Sequence, residues 1–216
     1  MTDQALRFLP EPHEYWLGAR RLPSVTEILK TLGFIDTDFF TWQSRVRGRA
    51  VHIACALIEQ GGLDWSSVDA TERALGEPVA PYIHGWERFL AEMGWVSKII
   101  ERPNYHGLYL YSGTPDRLGF WKDGQEGIVD IKTMKVFSKQ AWWDLQIGGY
   151  DQMEPRLSKT GARRLTDVCL TADGKYHIEN CQDMNAGPMF LAAQATYQWG
   201  VAQGFYTTPK RAGRAK

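Results

Sequence analysis

The sequence predicts an α/β fold in which a mixed central β-sheet, containing an antiparallel meander, is flanked by helices. Segments with the apolar spacing of helices lie before residue 95 and after residue 138. Between them are short runs of strand character separated by turn-forming residues. The chain has 216 residues, of which 44% are hydrophobic, so it is long enough for one well-buried domain and short for two. We therefore expect a single domain over residues 1–209.

The N-terminal elements are predicted to be a hairpin and a capped helix. In the segment HEYWLGARRL, Gly18 and Ala19 turn the chain between two short strands. Ser24 and Glu27 have the spacing of a capping box, which predicts a helix that begins after Ser24 and ends near Gly33.

The next segment, TWQSRVRGRAVHIACALIEQGG, predicts an amphipathic helix that ends on two glycines. Helical spacing predicts a buried face made of four apolar side chains: Val46, Ala50, Ile53 and Leu57. Arg45, Arg49 and His52 lie four and three residues apart, so they share a different face of the helix. Basic groups and an imidazole are therefore expected on one surface.

The region from Val96 to Thr133 is predicted to form the antiparallel meander. Its four strand-like runs are VSKIIER, HGLYLYSG, PDRLGFW and GIVDIKT, separated by Pro-Asn, Ser-Gly and Asp-Gly turn signals. A helix, PYIHGWERFLAEMGW, precedes this region and is joined to the preceding helix by a polar connection.

The C-terminal half of the chain is predicted to add two helices and a second hairpin. SKQAWWDLQIGGYDQM has a helical pattern, with Gln146 and Tyr150 four residues apart. RLTDVCLTADGKYHIEN is predicted to be a strand, a turn and a strand, and MFLAAQATYQWGVAQG a last helix. Residues 210–216 are basic and have no apolar pattern, which predicts a disordered tail.

Composition excludes some classes of partner. The 25 basic and 25 acidic residues balance, so a polyanion must be held by a local patch and not by a global field. The three cysteines are scattered without metal-ligand spacing, which indicates a reducing compartment, and the start of the chain lacks the form of a signal peptide. No apolar run approaches the roughly 18 residues of a membrane span. We expect a cytoplasmic protein with no membrane partner.

The chemistry of the sequence concentrates in the hairpin GTPDRLGFWKDGQEGIVDIKT. Asp116 and Asp130 are equally distant from Asp123, so a turn about Asp123 places them opposite each other, with Cβ atoms about 4.5–5.5 Å apart. Two facing carboxylates repel unless a cation lies between them. Asp130 and Lys132 point to the same face, while Ile131 points into the core.

These oxygen ligands suit Mg²⁺, with Mn²⁺ as a substitute, and a nearby lysine can orient or deprotonate a metal-bound water. Metal-assisted phosphodiester hydrolysis is therefore the hypothesis. The alternative for an Asp-x-Lys strand by itself is a surface ladder of salt bridges.

The chain resembles the PD-(D/E)XK nuclease superfamily, and within it the RecB-like and phage-type exonuclease branch. Four motifs carry the resemblance, in the family's order: GRAVH (48–52) resembles GxxxH, GTPD (113–116) resembles GxxD, DIK (130–132) resembles (D/E)xK, and QIGGY (146–150) resembles QxxxY. They span about half of the chain, and HEYWLGARRLPSVTEIL also resembles the opening of phage members. The resemblance implies a restriction-endonuclease-like core.

The resemblance also implies roles for particular residues. His52, Asp116 and Asp130 are expected to bind the metal together with the backbone carbonyl of Ile131, and Lys132 to serve the attacking water. Three further site residues are implied: Gln146 and Tyr150, which line the site and contact DNA or the catalytic groups, and Glu101, which resembles an acid that many members place nearby. Arg45 and Arg49 are expected either to pair with DNA phosphates or to form a solvated stripe.

The function implied is a Mg²⁺-dependent deoxyribonuclease, with an exonuclease of phage recombination or DNA processing preferred. A chain of this length leaves no room for a helicase or a separate sequence-reading domain. The alternatives are an endonuclease of the same fold and a non-catalytic DNA-binding accessory protein. Expected partners are DNA, a single-strand annealing or other recombination protein, and further copies of the chain. One branch of the family carries an iron–sulfur cluster on four cysteines, which three cysteines here exclude.

Overall fold

The computed structural model describes residues 5–36, 41–159 and 161–207, so the predicted tail at 210–216 lies outside the described residues. The strands are β1 (Leu6–Leu9), β2 (Glu14–Leu17), β3 (Arg20–Leu22), β4 (Val96–Ile100), β5 (Asn104–Tyr105), β6 (Ser112–Gly113), β7 (Arg117–Phe120), β8 (Glu126–Met134), β9 (Arg164–Thr171) and β10 (Tyr176–Asn180). The helices are α1 (Val25–Thr31), α2 (Trp42–Glu59), α3 (Trp65–Leu75), α4 (Ala80–Met93), α5 (Trp142–Met153) and α6 (Ala186–Ala202). None of the described helices is long and apolar enough to cross a membrane.

The central sheet is mixed and has helices on both faces, as predicted. Its strand order is β10-β9-β8-β7-β4. Strands β8 and β9 pair in parallel, and the other neighbours pair antiparallel. A parallel pair needs a crossover connection, which α5 supplies between β8 and β9. The cores on the two faces contain residues of α2 and α4 on one side and of α1, α5 and α6 on the other.

The prediction of a four-strand meander is wrong for its second run, HGLYLYSG. Strand β4 pairs directly with β7, and only the end of that run, in β6, is a strand, which pairs with the short β5 outside the central sheet. Helix α6 holds the rest of the run as a turn, because Gln194 and Gln198 both donate hydrogen bonds to the Tyr109 carbonyl. The adjacent Leu110 has a φ of 52°. Tertiary contacts therefore override the strand pattern of this run.

Helix α2 forms as predicted, but its buried face is rotated by about one residue. Arg47 and Val51 are buried, whereas Ile53, predicted to be in the core, is 49% exposed. Arg47 tolerates burial because its guanidinium pairs with Glu77 and lies 5.3 Å from the Tyr82 ring. An ion pair between distant residues thus decides which stripe of the helix faces the core.

The polar connection between α2 and α4 contains a helix that the sequence analysis missed. Helix α3 is capped by Asp64, whose side chain accepts a hydrogen bond from the Ser66 amide at 2.9 Å. Glu72 then accepts hydrogen bonds from the amides of Val79 and Ala80 at 2.6 and 2.7 Å. These bonds attach α3 to the start of α4, and Val68 supplies its buried contact.

The predicted N-terminal hairpin and capped helix are both present. Strands β2 and β3 pair antiparallel, β1 adds a third strand, and the Ser24 side chain accepts a hydrogen bond from the Glu27 amide at 3.0 Å. The Ser112 amide donates to the Pro23 carbonyl at 2.9 Å. The N-terminal sheet is therefore tied to β6, immediately before the segment that carries Asp116.

Candidate metal centre

The hairpin of β7 and β8 has the predicted register. Arg117 pairs with Val129 and Phe120 with Glu126. Extending this register by one step sets Asp116, just before β7, against Asp130. The Asp116 Oδ2 atom accepts a hydrogen bond from the Ile131 amide at 2.7 Å, which fixes the carboxylate across the hairpin.

His52 reaches this hairpin from α2. Its Nε2 atom lies 3.0 Å from the Ile131 carbonyl oxygen, and its Nδ1 atom lies 3.3 Å from Asp116 Oδ1. Burial lowers the pKa of His52, but the carboxylates of Asp116, Glu101 and Asp130 outweigh burial and raise that pKa to about 9. The imidazole is therefore a cation that donates from both nitrogens. It must release a proton before it can hold a metal.

Glu101 completes a group of three side chains that could hold a metal ion. One ligand atom each from His52, Glu101 and Asp116 lie within 4.8 Å of one another. Glu101 follows β4 and has a φ of 44°, in the left-handed region that non-glycine residues rarely adopt. Its amide donates to the Asp116 carbonyl at 2.9 Å, which holds the two acids side by side. The strained backbone thus directs a carboxylate toward the other ligands.

A buried arginine, Arg117, binds Glu59 and the backbone of Asp116. The Arg117 side chain is fully buried, its Nε atom donates to Glu59 at 2.6 Å, and its Nη1 atom donates to the Asp116 carbonyl at 2.8 Å. Burial raises the pKa of Asp116, but His52, Arg117 and the Ile131 amide lower it further, so the net shift is downward. Asp116 is consequently ionised at neutral pH.

Asp130 and Lys132 share the face of β8 that packs against α5. The Lys132 ammonium contacts the Asp130 carboxylate, donates to Gln146 Oε1 at 2.5 Å, and lies 4.9 Å from the centre of the Trp142 ring. Burial lowers the pKa of Lys132, but Asp130 and Asp167 outweigh it and raise that pKa. Lys132 is thus charged at neutral pH. The carboxylate of Asp130, expected to be a metal ligand, is directed at Lys132. Glu101, in its place, forms the group of three with His52 and Asp116.

Gln146 and Tyr150 lie behind Lys132 in the interior. Gln146 Nε2 donates to the Tyr150 hydroxyl at 3.1 Å, and the two residues are 8% and 5% exposed. Of the two predicted roles, contact with the catalytic groups fits this burial better than contact with DNA. Tyr150 packs on Gly113, where an added Cβ atom would lie 2.8 Å from the tyrosine ring. The GTPD and QIGGY motifs are therefore in direct contact.

The remaining motif residues lie on α2. A Cβ atom at Gly48 would lie 3.3 Å from Thr133 Oγ1, so the absence of a side chain lets α2 approach the end of β8 closely. Arg45 and Arg49 are exposed on the same stripe as His52. Arg49 pairs with the exposed Glu11 at 3.0 Å.

Asp167 is a site residue that the sequence analysis missed. It faces Asp130 in the parallel register of β8 and β9, is 1% exposed, and lies 3.6 Å from the Lys132 ammonium. Neither of its carboxylate oxygens has a hydrogen-bond partner among the described residues. Burial raises the pKa of Asp167 to about 7. The available signal was an aspartate inside the apolar strand RLTDVCLT.

Replacing Asp167→Asn is expected to flatten the pH dependence of stability. Between its unfolded pKa of about 3.9 and its folded value of about 7, the folded protein retains a proton that the unfolded chain has released. The free energy of unfolding therefore falls as the pH rises through this window. Urea unfolding at pH 5 and pH 8 should show a fall that is smaller in the variant by on the order of 2 kcal/mol.

The control for this measurement is Asp69→Asn, a change at an exposed position of α3. The control should retain the pH dependence of the wild type. An Asp167→Asn variant that also retains it would contradict the raised pKa.

A cavity of about 640 Å³ opens onto the three ligands. His52, Glu101 and Asp116 are part of its lining. Residues of β1, of the turn between β1 and β2, and of α2 also line it. The ligand group is thus accessible to a small molecule or to part of a larger one.

Comparisons with known proteins do not identify a family for this chain. No family model and no curated protein matches the chain. Among solved structures, the crystal structure of SSO0001 has a TM-score of 0.36 and 13% sequence identity, over 86% of this chain and 85% of that one. A likeness of this size does not identify a shared fold, so the candidate metal centre rests on the chain's own residues.

Proposed function

We propose that the protein is a metal-dependent deoxyribonuclease with a restriction-endonuclease-like core, similar to the PD-(D/E)XK nucleases. The observation that carries this proposal is the meeting of four separate motifs. Two sets of contacts meet on β8. His52 of α2 and Asp116 before β7 contact each other and the backbone of Ile131. Lys132, the next residue, contacts Asp130 and donates to Gln146 of α5. Surface salt-bridge ladders do not have this buried arrangement of four chain segments.

The donor set fits a hard divalent cation. His52, Glu101 and Asp116 offer one nitrogen and two carboxylate oxygens within reach of one ion, and the Ile131 carbonyl oxygen lies beside His52. Oxygen-rich sets of this kind suit Mg²⁺ and Mn²⁺. The upward shift of the His52 pKa shows that the surrounding acids already favour a positive charge at this position. A bound cation would supply that charge in place of the proton.

The chain's own residues prepare the site for hydrolysis. When bound, the metal would stabilise charge on a phosphodiester and lower the pKa of a coordinated water. The charged Lys132 follows Ile131, whose carbonyl oxygen lies beside His52, and it is suited to orienting the attacking water and to stabilising negative charge. Gln146 accepts a hydrogen bond from Lys132 and donates one to Tyr150, so this pair fixes the ammonium in position.

The cavity and the basic side chains near it suit a nucleic acid strand. A volume of about 640 Å³ lies in the range of small-ligand pockets, which suits one part of a strand. Arg45 and Arg49, exposed on the His52 stripe of α2, are suited to contact the phosphates that follow. Because the net charge is zero, DNA binding through such a local patch should weaken as salt rises.

DNA cleavage tests the proposal directly. Linear and covalently closed circular duplexes are incubated with the wild type, with Asp116→Asn and with the control Asp69→Asn, in Mg²⁺, in Mn²⁺ and in EDTA. We expect the wild type and the control to degrade linear DNA in either metal. EDTA should abolish degradation, and Asp116→Asn should not degrade DNA because it loses an ionised ligand.

The outcomes separate the candidate functions. Digestion of linear DNA alone indicates an exonuclease, and cutting of closed circles indicates an endonuclease. A wild type that binds DNA in Mg²⁺ but degrades neither form would indicate a non-catalytic binding protein. Equal activity in Asp116→Asn and the wild type would refute the assignment of the metal centre.

A further inference from the structure

The cavity beside the metal centre is lined by two chemically different groups of residues. One group is the candidate ligands His52, Glu101 and Asp116. The other, here called the hairpin wall, consists of four residues with ring side chains: Phe8, Pro10, Pro12 and His13. Ile53, which is 49% exposed, adds an apolar side chain to the lining. Apolar rings in the same cavity as a candidate cation site suit a ligand that has a flat apolar part and an anionic part, the latter held through a bound cation.

The hairpin wall is packed against a side chain that contacts the segment before Asp116. The rings of Phe8 and His13 are 5.1 Å apart and nearly perpendicular, and each also packs against Tyr15, at 4.8 and 5.5 Å. Tyr15 is 1% exposed, and its hydroxyl lies 2.8 Å from Thr114 Oγ1. Thr114 is two residues before Asp116. The aromatic rings and the metal ligand are therefore held by the same segment.

The hairpin wall carries little net charge. Burial and the nearby Arg49 lower the pKa of His13, although Glu11 raises it, so its ring is uncharged at neutral pH. Glu11, the acid between Pro10 and Pro12, is paired with Arg49. The wall thus presents neutral flat rings beside a guanidinium. Nucleic-acid bases stack on surfaces of this kind regardless of sequence.

We propose that the cavity is a nucleotide subsite, in which Phe8 and His13 of the hairpin wall contact the base next to the phosphate that faces His52, Glu101 and Asp116. This subsite rests on the proposed function and adds to it a binding site for the base beside the cleaved phosphodiester. The base contributes affinity through stacking, and the phosphate is placed at the metal ligands.

The test compares the effect of removing a ring from the protein with the effect of removing the base from the substrate. Oligonucleotides carry a tetrahydrofuran abasic residue on either the 5′ or the 3′ side of the first cleaved phosphodiester, and the unmodified oligonucleotide is the reference. The proteins are the wild type, Phe8→Ala, His13→Asn and the control Phe34→Ala, whose ring is 48% exposed and does not line the cavity. Asparagine tolerates the φ of 63° at residue 13, so that variant removes the ring without backbone strain.

We expect one abasic oligonucleotide to be cleaved with a kcat/KM about 5- to 100-fold lower than the reference. Phe8→Ala and His13→Asn should lose a similar factor on the reference and little more on that abasic oligonucleotide. Phe34→Ala should behave as the wild type. If removing a ring and removing the base lower kcat/KM independently, so that their factors multiply, the rings do not contact the base and the subsite is refuted. An absence of any effect would also refute the subsite, while the nuclease proposal would stand.

Binding of the same oligonucleotides in Ca²⁺, measured by fluorescence anisotropy, separates this inference from the nuclease proposal. If the wild type does not cleave DNA but ring and base removal remain coupled in binding, the nuclease assignment fails and the subsite stands. Uncoupled effects in binding as well as in cleavage would exclude the subsite. Circular dichroism of His13→Asn and Phe8→Ala checks that both variants are folded.

Discussion

Lys132→Met is expected to reduce DNA cleavage by about 10²- to 10⁴-fold, the range typical for loss of a group that acts on a proton in the transition state. Methionine keeps the length of the side chain and its packing beside Trp142, but it removes the ammonium that contacts Asp130 and Gln146. Because Lys132 is not among the three side chains that could hold one ion, metal binding should survive. The loss should therefore appear in kcat.

Single-turnover cleavage, Mg²⁺ titration and DNA binding in Ca²⁺ separate these effects. The matched control is Lys135→Met, three residues along the chain, whose side chain is 68% exposed and pairs with Glu77 outside the site. It should cleave DNA at the wild-type rate. A Lys132→Met variant with normal kcat would remove Lys132 from the catalytic assignment, and one that fails to bind metal would indicate a structural role.

Arg163→Met is expected to lower the free energy of unfolding by about 3–5 kcal/mol, the usual cost of removing one partner from a buried ion pair. The Arg163 side chain is fully buried and binds Glu126 at 2.6 Å and Asp151 at 2.9 Å. It also donates to the carbonyls of Glu154 and Pro155. Its loss leaves the Glu126 carboxylate, itself 4% exposed, without its cation. Urea unfolding monitored by circular dichroism measures the cost.

The control for Arg163 is Arg88→Met, which removes an exposed pair with Glu92 on α4 and should cost less than about 0.5 kcal/mol. Adding Glu126→Gln to Arg163→Met should recover part of the loss, because the amide removes the unpaired buried charge. Equal costs for Arg163→Met and Arg88→Met would show that the buried network contributes little.

Much of the local structure could be predicted from the sequence. The Ser24 cap, the turn at Gly18 and the hairpin centred on Asp123 depend on groups within a few residues of one another. For the same reason the register that sets Asp116 against Asp130 followed from counting residues. The mixed character of the sheet was also predicted, and the structure has it.

The structure brings several of the predicted site residues together, but their pairings differ from those expected. His52, Asp116 and the Ile131 carbonyl lie together, but the Asp130 carboxylate is directed at Lys132 and Glu101 stands beside His52. These pairings depend on side-chain directions at the ends of three elements. The spacing of a motif determines which residues share a face of an element, but it does not determine which side chains they contact.

The sequence by itself determined the caps, the turns, the hairpin register and the set of residue types that suggests metal-dependent hydrolysis, since each depends on short-range geometry. Only the tertiary structure decided the buried face of α2, which depends on Arg47 and Glu77, thirty residues apart. It also decided the position of Asp167, which reaches Lys132 through a parallel strand pair joined by α5. The physical reason is that a buried charge is tolerated only where a distant partner compensates it, and that partner is set by the packing of whole elements.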